Sequence, residues 1–150
     1  MNLNLKIKFL EKQMNNSLVL KTFIQQLDEC LEDILRAYPE LPTADKRFLK
    51  CKMYFDALKK SNPKIMIISW KEHVNKKYRK QIDAGDVRFF VETDLEQIAK
   101  ENAVEQYFTN EVENAINELR QTIRKMSPAN IDASMKYIQN LCKLTDHYIV

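Results

Sequence analysis

The sequence predicts an all-α protein: a single-domain bundle of five or six helices with an extended N-terminal arm. From residue 16 onward, apolar residues recur at spacings of three, four and seven, which is the pattern of amphipathic helices. Prolines interrupt this pattern between the periodic segments, where they end or begin helices. A chain of 150 residues with 45% apolar residues has the size of one domain with its own core.

The first fifteen residues are predicted to form an arm outside the helical domain, which spans residues 16–150. Four apolar residues alternate with polar ones there, as in a β-strand: Leu3, Leu5, Ile7 and Phe9. Because no second strand is predicted, this arm would add to a partner's sheet, or else extend the bundle as a frayed helix or pack across it. These four residues are candidates for partner binding.

The bounds of the helices after the arm are predicted from the residues that cap or interrupt them. Asn16 or Ser17 can cap the first helix, Thr43 the second, and a capping box at 93–96 the fourth. Gly85, the only glycine of the chain, stands where a helix often ends in a left-handed residue. The predicted spans are 17–37, 43–61, 63–82, 93–126 with a break near residue 102 or 110, and a last helix that Ser127-Pro128 begins.

The residues expected in the core lie at helical spacing. The run 87–91 is either a short helix or an extended segment, and at least one of Phe89 and Phe90 should be buried. The main predicted core residues are Leu20, Phe23, Ile24, Leu27, Leu31, Ile34, Leu35, Phe48, Cys51, Tyr54, Phe55, Leu58, Ile67, Val74, Tyr78, Ile82, Val112, Ile116, Leu119, Ile123, Ile131, Met135, Ile138, Leu141 and Leu144.

Composition argues against several kinds of enzyme site. Phosphate-binding loops and nucleophile elbows need glycines, and this chain has one. Cys30, Cys51 and Cys142 are too widely spaced for a zinc motif and are expected to be small buried hydrophobes. His73 and His147 lack the Glu three residues before them that di-iron bundles use. We therefore expect no enzyme and no catalytic, cofactor or metal site.

The cysteine count and the hydropathy pattern also predict a compartment. Three cysteines are an odd number without a disulfide framework, and the N-terminus has no continuous apolar run of a signal peptide. No run of 18 apolar residues occurs that could span a membrane. These features predict a reducing, intracellular location.

Charge is distributed unevenly along the chain. Residues 46–80 hold twelve Lys and Arg against two acids, whereas residues 81–118 hold ten acids against two bases. If the helices that carry these blocks pack side by side, their charges neutralise; if they diverge, the protein has two poles that favour ordered neighbours.

The basic block supplies a second set of candidate partner-binding residues. They lie on the third predicted helix and are Lys71, Lys76, Lys77, Arg79 and Lys80. With Lys59 and Lys60 nearby, such a face can meet a protein partner or nucleic-acid phosphates, or it can simply be solvated.

A scattered pattern in the middle and at the end of the chain resembles a known group of proteins. It consists of LRAYP at 35–39, Asn62-Pro63, Trp70, His73-Val74, Tyr78, Ile82, Gly85-Asp86, Phe89-Phe90, Asp94 and MSPANIDASMKYIQNL at 126–141. The pattern is similar to that of small helical proteins of nucleocytoplasmic large DNA viruses, some of which look like minor capsid components. The resemblance implies a late structural protein of the virion and of the host cytoplasm, which contacts other capsid proteins beneath the outer shell. It implies no active site.

Two functions from different classes follow from these observations. The first is a non-enzymatic structural or interaction protein, a minor capsid or assembly component that bridges other capsid proteins or copies of itself. The alternative is a nucleic-acid-binding or transcription-associated helical protein that uses the basic face of residues 59–80.

Overall fold

The computed structural model describes residues 2–37, 46–91 and 111–150, and these residues form six helices. The predicted all-α class is thereby confirmed. Helix α3 joins two α-helical parts, Pro63–Trp70 and Lys76–Asp83, through a π-helical turn at Lys71–Asn75. The other helices are α1 (Leu3–Ala37), α2 (Lys46–Ser61), α4 (Arg88–Val91), α5 (Glu111–Arg124) and α6 (Pro128–His147).

Helix α3 lies at the centre of the packing. It contacts α1, α2, α5 and α6, while α1 packs along α6 and α2 packs along α5. Trp70 ends the first part of α3 and is fully buried, with its ring edge-to-face against Phe23 of α1 at a centroid distance of 6.0 Å. Such pairs add to the stabilisation that burial itself provides.

The core follows the predicted helical stripes. Of the residues named above, the following are buried: Phe23, Leu27, Leu31, Ile34, Phe48, Cys51, Phe55, Ile67, Val74, Ile82, Val112, Ile116, Leu119, Ile123, Met135, Ile138 and Leu141. The following are partly buried against that core: Leu20, Ile24, Leu35, Tyr54, Leu58, Tyr78, Ile131 and Leu144. The ambiguous run before residue 92 contains the short helix α4, and both Phe89 and Phe90 are fully buried.

The extended conformation predicted for the N-terminal arm is wrong. Helix α1 begins at Leu3, so residues 3–15 form its first part rather than a separate strand. Leu3, Ile7 and Leu10 recur at spacings of four and three as well as in alternation, and neither Gly nor Pro interrupts residues 3–37. The helix can therefore begin upstream of residue 17, the start that the sequence predicts.

Asn16 consequently is not a helix cap. It lies within α1, and its side-chain amide donates to the carbonyl oxygen of Ile149 at 2.6 Å and accepts from the Ile149 N–H at 2.9 Å. This paired hydrogen bond fastens the C-terminal residues to α1 at the point where the bundle begins.

Other predicted boundaries agree with the structure. Pro63 begins α3 directly after Asn62, and Gly85 has a φ of 66°. The Ser127 hydroxyl accepts a hydrogen bond from the Asn130 N–H at 3.3 Å, as expected of an N-cap. The predicted Thr43 cap, the capping box at 93–96 and the breaks near 102 and 110 lie outside the described residues.

None of the helices in the described part of the chain has the length and apolar character needed to cross a lipid bilayer.

Candidate interaction surfaces

The first surface is the N-terminal segment of α1, by which we mean residues 3–15. Five large apolar side chains of this regular helix are between 45% and 68% exposed: Leu3, Leu5, Ile7, Phe9 and Leu10. Among the side chains of α1 that the structure describes, Val19 is the first that is buried in the core. Thirteen helical residues span about 20 Å, so a long apolar stretch of helix precedes the part that packs in the bundle.

These exposed residues fall on two opposite faces of the helix. At about 100° per residue, Leu3, Ile7 and Leu10 form one stripe. Leu5 and Phe9 form the other, which continues the line that buries Phe23 further along α1. The N-terminal segment thus prolongs the core-facing stripe and also carries an apolar stripe on the outward face.

The outward face of α1 changes character after Leu18, which is 64% exposed. The residues that follow it on this face are Lys21, Gln25, Glu29 and Glu32, all of them exposed. The outward face of α1 is therefore polar where the helix packs in the bundle and apolar in the N-terminal segment. The polar part is typical of a solvated surface, and the apolar part is typical of a surface that contacts a partner.

The second surface is the basic face of α3, where acidic partners neutralise much of the charge. Lys76 lies 2.7 Å from Glu72 on the same helix. Lys77 lies 3.1 Å from Glu113 of α5. Lys76 and Lys77, which are candidate partner-binding residues, thus form ion pairs within the molecule.

Arg79 makes the largest set of charged contacts on this face. Two of its guanidinium nitrogens each donate to one oxygen of the Asp146 carboxylate at 2.8 Å, and Nε donates to Asp83 at 2.8 Å. These hydrogen bonds hold the pKa of Asp146 below its usual range. Arg79 therefore connects α3 to α6 within the molecule, and its predicted role in partner binding stays a prediction.

The remaining basic candidates divide into two groups. The Lys71 ammonium lies 3.5 Å from the Tyr148 carbonyl oxygen, and Lys59 pairs with Asp28 of α1 at 3.0 Å. For Lys60 and Lys80, which are exposed, the described parts of the chain contain no ion pair. Ion pairs and hydrogen bonds within the molecule thus occupy part of the basic face on which the nucleic-acid alternative depends.

The π-helical turn of α3 was missed by the sequence analysis. It buries Asn75, whose side-chain amide donates to the Thr145 hydroxyl at 2.9 Å and lies 3.3 Å from an Asp146 carboxylate oxygen. Asn75 also accepts from Arg79 at 2.9 Å. The turn therefore builds a polar connection between α3 and α6 within an otherwise apolar helix stripe.

Arg120 of α5 is a second residue that the sequence did not indicate. It is 3% exposed, and its Nε donates to the Phe89 carbonyl oxygen at 2.8 Å. Its guanidinium group stacks on the rings of Tyr78 and Phe89, 4.6 Å from each centroid. This arginine fixes the short helix α4 against α3 and α5.

The charge blocks meet where α3 and α5 lie side by side. Glu113 accepts from Lys77 and lies 3.6 Å from Nδ1 of His73. The sequence left open whether the two charge blocks neutralise each other or form two poles. This contact corresponds to neutralisation. The acidic residues at 92–110 lie outside the described residues.

The three cysteines are buried and free, in the environment predicted for small hydrophobes. Burial raises the pKa of Cys30 and of Cys51 to about 12, and that of Cys142 to about 11. The Cys51 thiol donates to the Ala115 carbonyl oxygen at 3.2 Å. Because the thiolate is the reactive form, these thiols are inert at neutral pH.

The described residues form no metal centre, and the hollow between α2 and α5 is open to solvent. No three His, Cys, Asp or Glu side chains in these parts of the chain lie together as metal ligands. An open hollow of about 330 Å³ lies between α2 and α5, with Arg47, Tyr54 and Glu118 among its lining. Its wide mouth does not enclose a small molecule as ligand clefts usually do.

Comparison of the chain with protein-family models, with curated proteins and with solved structures finds no match. A function is therefore inferred from the N-terminal segment of α1 and the basic face of α3.

Proposed function

We propose that this protein is a non-enzymatic structural protein, a minor capsid or assembly component of a large DNA virus that binds other capsid proteins. The observation that carries the proposal is the N-terminal segment of α1, a regular helix whose large apolar side chains are about half exposed or more. A surface of this kind marks a contact site, because monomeric proteins rarely leave such a patch in water.

The mode of binding follows from the helical form of this segment. The sequence suggested strand addition to a partner's sheet, whereas a helix presents its side chains to an apolar groove. Burying a Leu, Ile or Phe side chain fully contributes about 1.5–3 kcal/mol. Since α1 is already helical, less conformational entropy is lost on binding than an extended arm would lose.

The viral part of the proposal is supported by the resemblance in sequence, including residues 126–141. A subunit that bridges other proteins in a shell needs contact surfaces and no reactive groups. The thiols of this chain are buried and protonated, so they supply no nucleophile. Within an assembly, many weak contacts act together, so each N-terminal segment need not bind tightly.

Cross-linking of purified virus particles tests this proposal directly. Lys6, Lys8 and Lys12 lie in the exposed N-terminal segment and react with amine-specific cross-linkers. We expect mass spectrometry to find them linked to lysines of other capsid proteins. Absence of the protein from particles, despite abundance in infected cytoplasm, would refute the capsid role.

The nucleic-acid alternative has weaker support, because Lys59, Lys76, Lys77 and Arg79 already pair with carboxylates. Binding through six phosphate contacts would weaken by roughly 10³-fold between 50 and 200 mM salt. We expect no shift of a labelled duplex at micromolar protein. A shift that disappears steeply with salt would support the alternative instead.

A further inference from the structure

We propose that the N-terminal segment of α1 pairs with the same segment of a second copy as a short parallel two-stranded coiled coil. The inference rests on the proposed function, since it names one partner of the same segment. It uses the outward stripe, which is Leu3, Ile7 and Leu10, and leaves Leu5 and Phe9 free for another protein.

The identity of the stripe residues argues for two parallel strands. Leu3, Ile7 and Leu10 are spaced four and three apart, which places Ile7 at an a position and the leucines at d positions of a heptad. A β-branched residue at a with leucine at d favours the parallel dimer. The side chains are 68%, 45% and 50% exposed, so each is available to a second helix.

Charge favours the parallel orientation as well. The sequence places Lys6 at a g position and Glu11 at the following e position, five residues later. In a parallel pair, g of one helix lies beside the next e of its partner, so the two-fold axis generates two such oppositely charged pairs. In an antiparallel pair, g positions lie beside g positions, and Lys6 would have the uncharged Gln13 as its neighbour.

The structure also limits where the pairing ends. After Leu10 the sequence places Met14 at the next a position. The d and a positions that follow are Ser17 and Lys21, both exposed, and two lysines facing each other would repel. The bundle packs on the opposite face of α1, the face of Phe23, so two bundles can diverge without collision. The seam is therefore confined to about two heptads, and its helix is nucleated by the packed part of α1.

Single-cysteine variants of the full chain test the parallel register. Residues at d face their own counterparts in a parallel dimer, so Leu3→Cys should form a disulfide-linked dimer under mild oxidation. Leu5→Cys, at an f position on the far side, is the matched control and should cross-link at least about tenfold less. The native cysteines are buried and give little background. Equal cross-linking of both variants, or none from Leu3→Cys, would overturn the proposal.

Sedimentation equilibrium of charge variants supplies the second test. Lys6→Glu should weaken the dimer by about tenfold, because two attractive pairs become repulsive, and adding Glu11→Lys should restore it. A chain that stays monomeric at high concentration, or a double variant without rescue, would contradict the coiled coil.

The two proposals can fail separately. Phe9→Asp should leave the dimer intact and abolish the links to other capsid proteins in particles. If the wild-type chain does not self-associate but is linked to other capsid proteins in particles, the coiled coil alone is refuted. If it self-associates but shows no such links, the capsid contact alone is refuted.

Discussion

Arg79 ties α3 to α6 through a two-pronged hydrogen bond to the Asp146 carboxylate, with both N···O distances at 2.8 Å. Charged pairs of this geometry are stronger than single surface contacts. The side chains are 32% and 44% exposed, so solvent screens part of the attraction. We expect Arg79→Ala to lower the free energy of unfolding by about 1–2 kcal/mol, measured by urea denaturation.

Lys76→Ala is the matched control for that measurement. Lys76 belongs to the same basic run, but its pair with Glu72 lies on one helix and both side chains are more than half exposed. Its removal should lower the urea midpoint far less than Arg79→Ala does, because solvent screens this pair. Equal losses for the two variants would show that the α3–α6 connection has no special role in stability.

Asp146 should make stability depend on pH in a defined direction. Hydrogen bonds from Arg79 lower its folded-state pKa below the usual 3.8. A depressed folded pKa gives stability that is present above the unfolded pKa and lost as the pH falls through the folded pKa. The difference in unfolding free energy between wild type and Asp146→Asn should therefore be largest near neutral pH and shrink below 3.8. A difference that stays constant into acid would contradict this origin.

How well a residue's role can be predicted depends on where its partners lie in the chain. Gly85 and Ser127 act through their immediate neighbours, so turn and capping chemistry identified them correctly. Asn75 bonds to Thr145, 70 residues away, and Arg120 bonds to Phe89, 31 residues away. Neither contact leaves a pattern in the local sequence, because tertiary packing creates it.

At the scale of the element, α1 shows how one short segment fits two periodicities. Leu3, Leu5, Ile7 and Phe9 alternate, yet Leu3, Ile7 and Leu10 also lie on one helical stripe. Without a Gly or Pro to separate residues 3–15 from the rest, the helix continues through them. Of the alternatives that the sequence left open for this segment, the structure has the helical extension, and the extended arm is wrong.

Hydrogen exchange should divide α1 into two parts. Buried side chains anchor residues 23–34, whereas the described apolar side chains of residues 3–10 are exposed, so the helix opens more readily at its N-terminal end. In dilute solution we expect the backbone amides of residues 6–12 to exchange at least about a hundredfold faster than those of residues 27–34. Equal protection in dilute solution would show that the N-terminal segment is stabilised within its own molecule.

At the scale of the whole molecule, stability and binding are assigned to different parts of one chain. The described core includes residues of α1 from Val19 onward together with residues of the later helices. Ion pairs between helices compensate part of the charge of residues 46–80. Fold class and core were predictable, since both depend on periodic apolar residues. The individual ion pairs of the basic face were not predictable, because Asp146 and Glu113 come from distant helices.

Deletion of residues 1–12 tests most directly the central claim that the N-terminal segment serves binding rather than folding. The melting temperature should change by less than about 2 °C, since the deletion removes ten residues of α1 and leaves the core intact. A deletion through residue 24, which removes Val19 and Phe23, is the control and should melt far lower. Self-association and the links to capsid proteins should both be lost in the shorter deletion. A drop of more than about 5 °C on removing residues 1–12 would instead show that the segment belongs to the protein's own core.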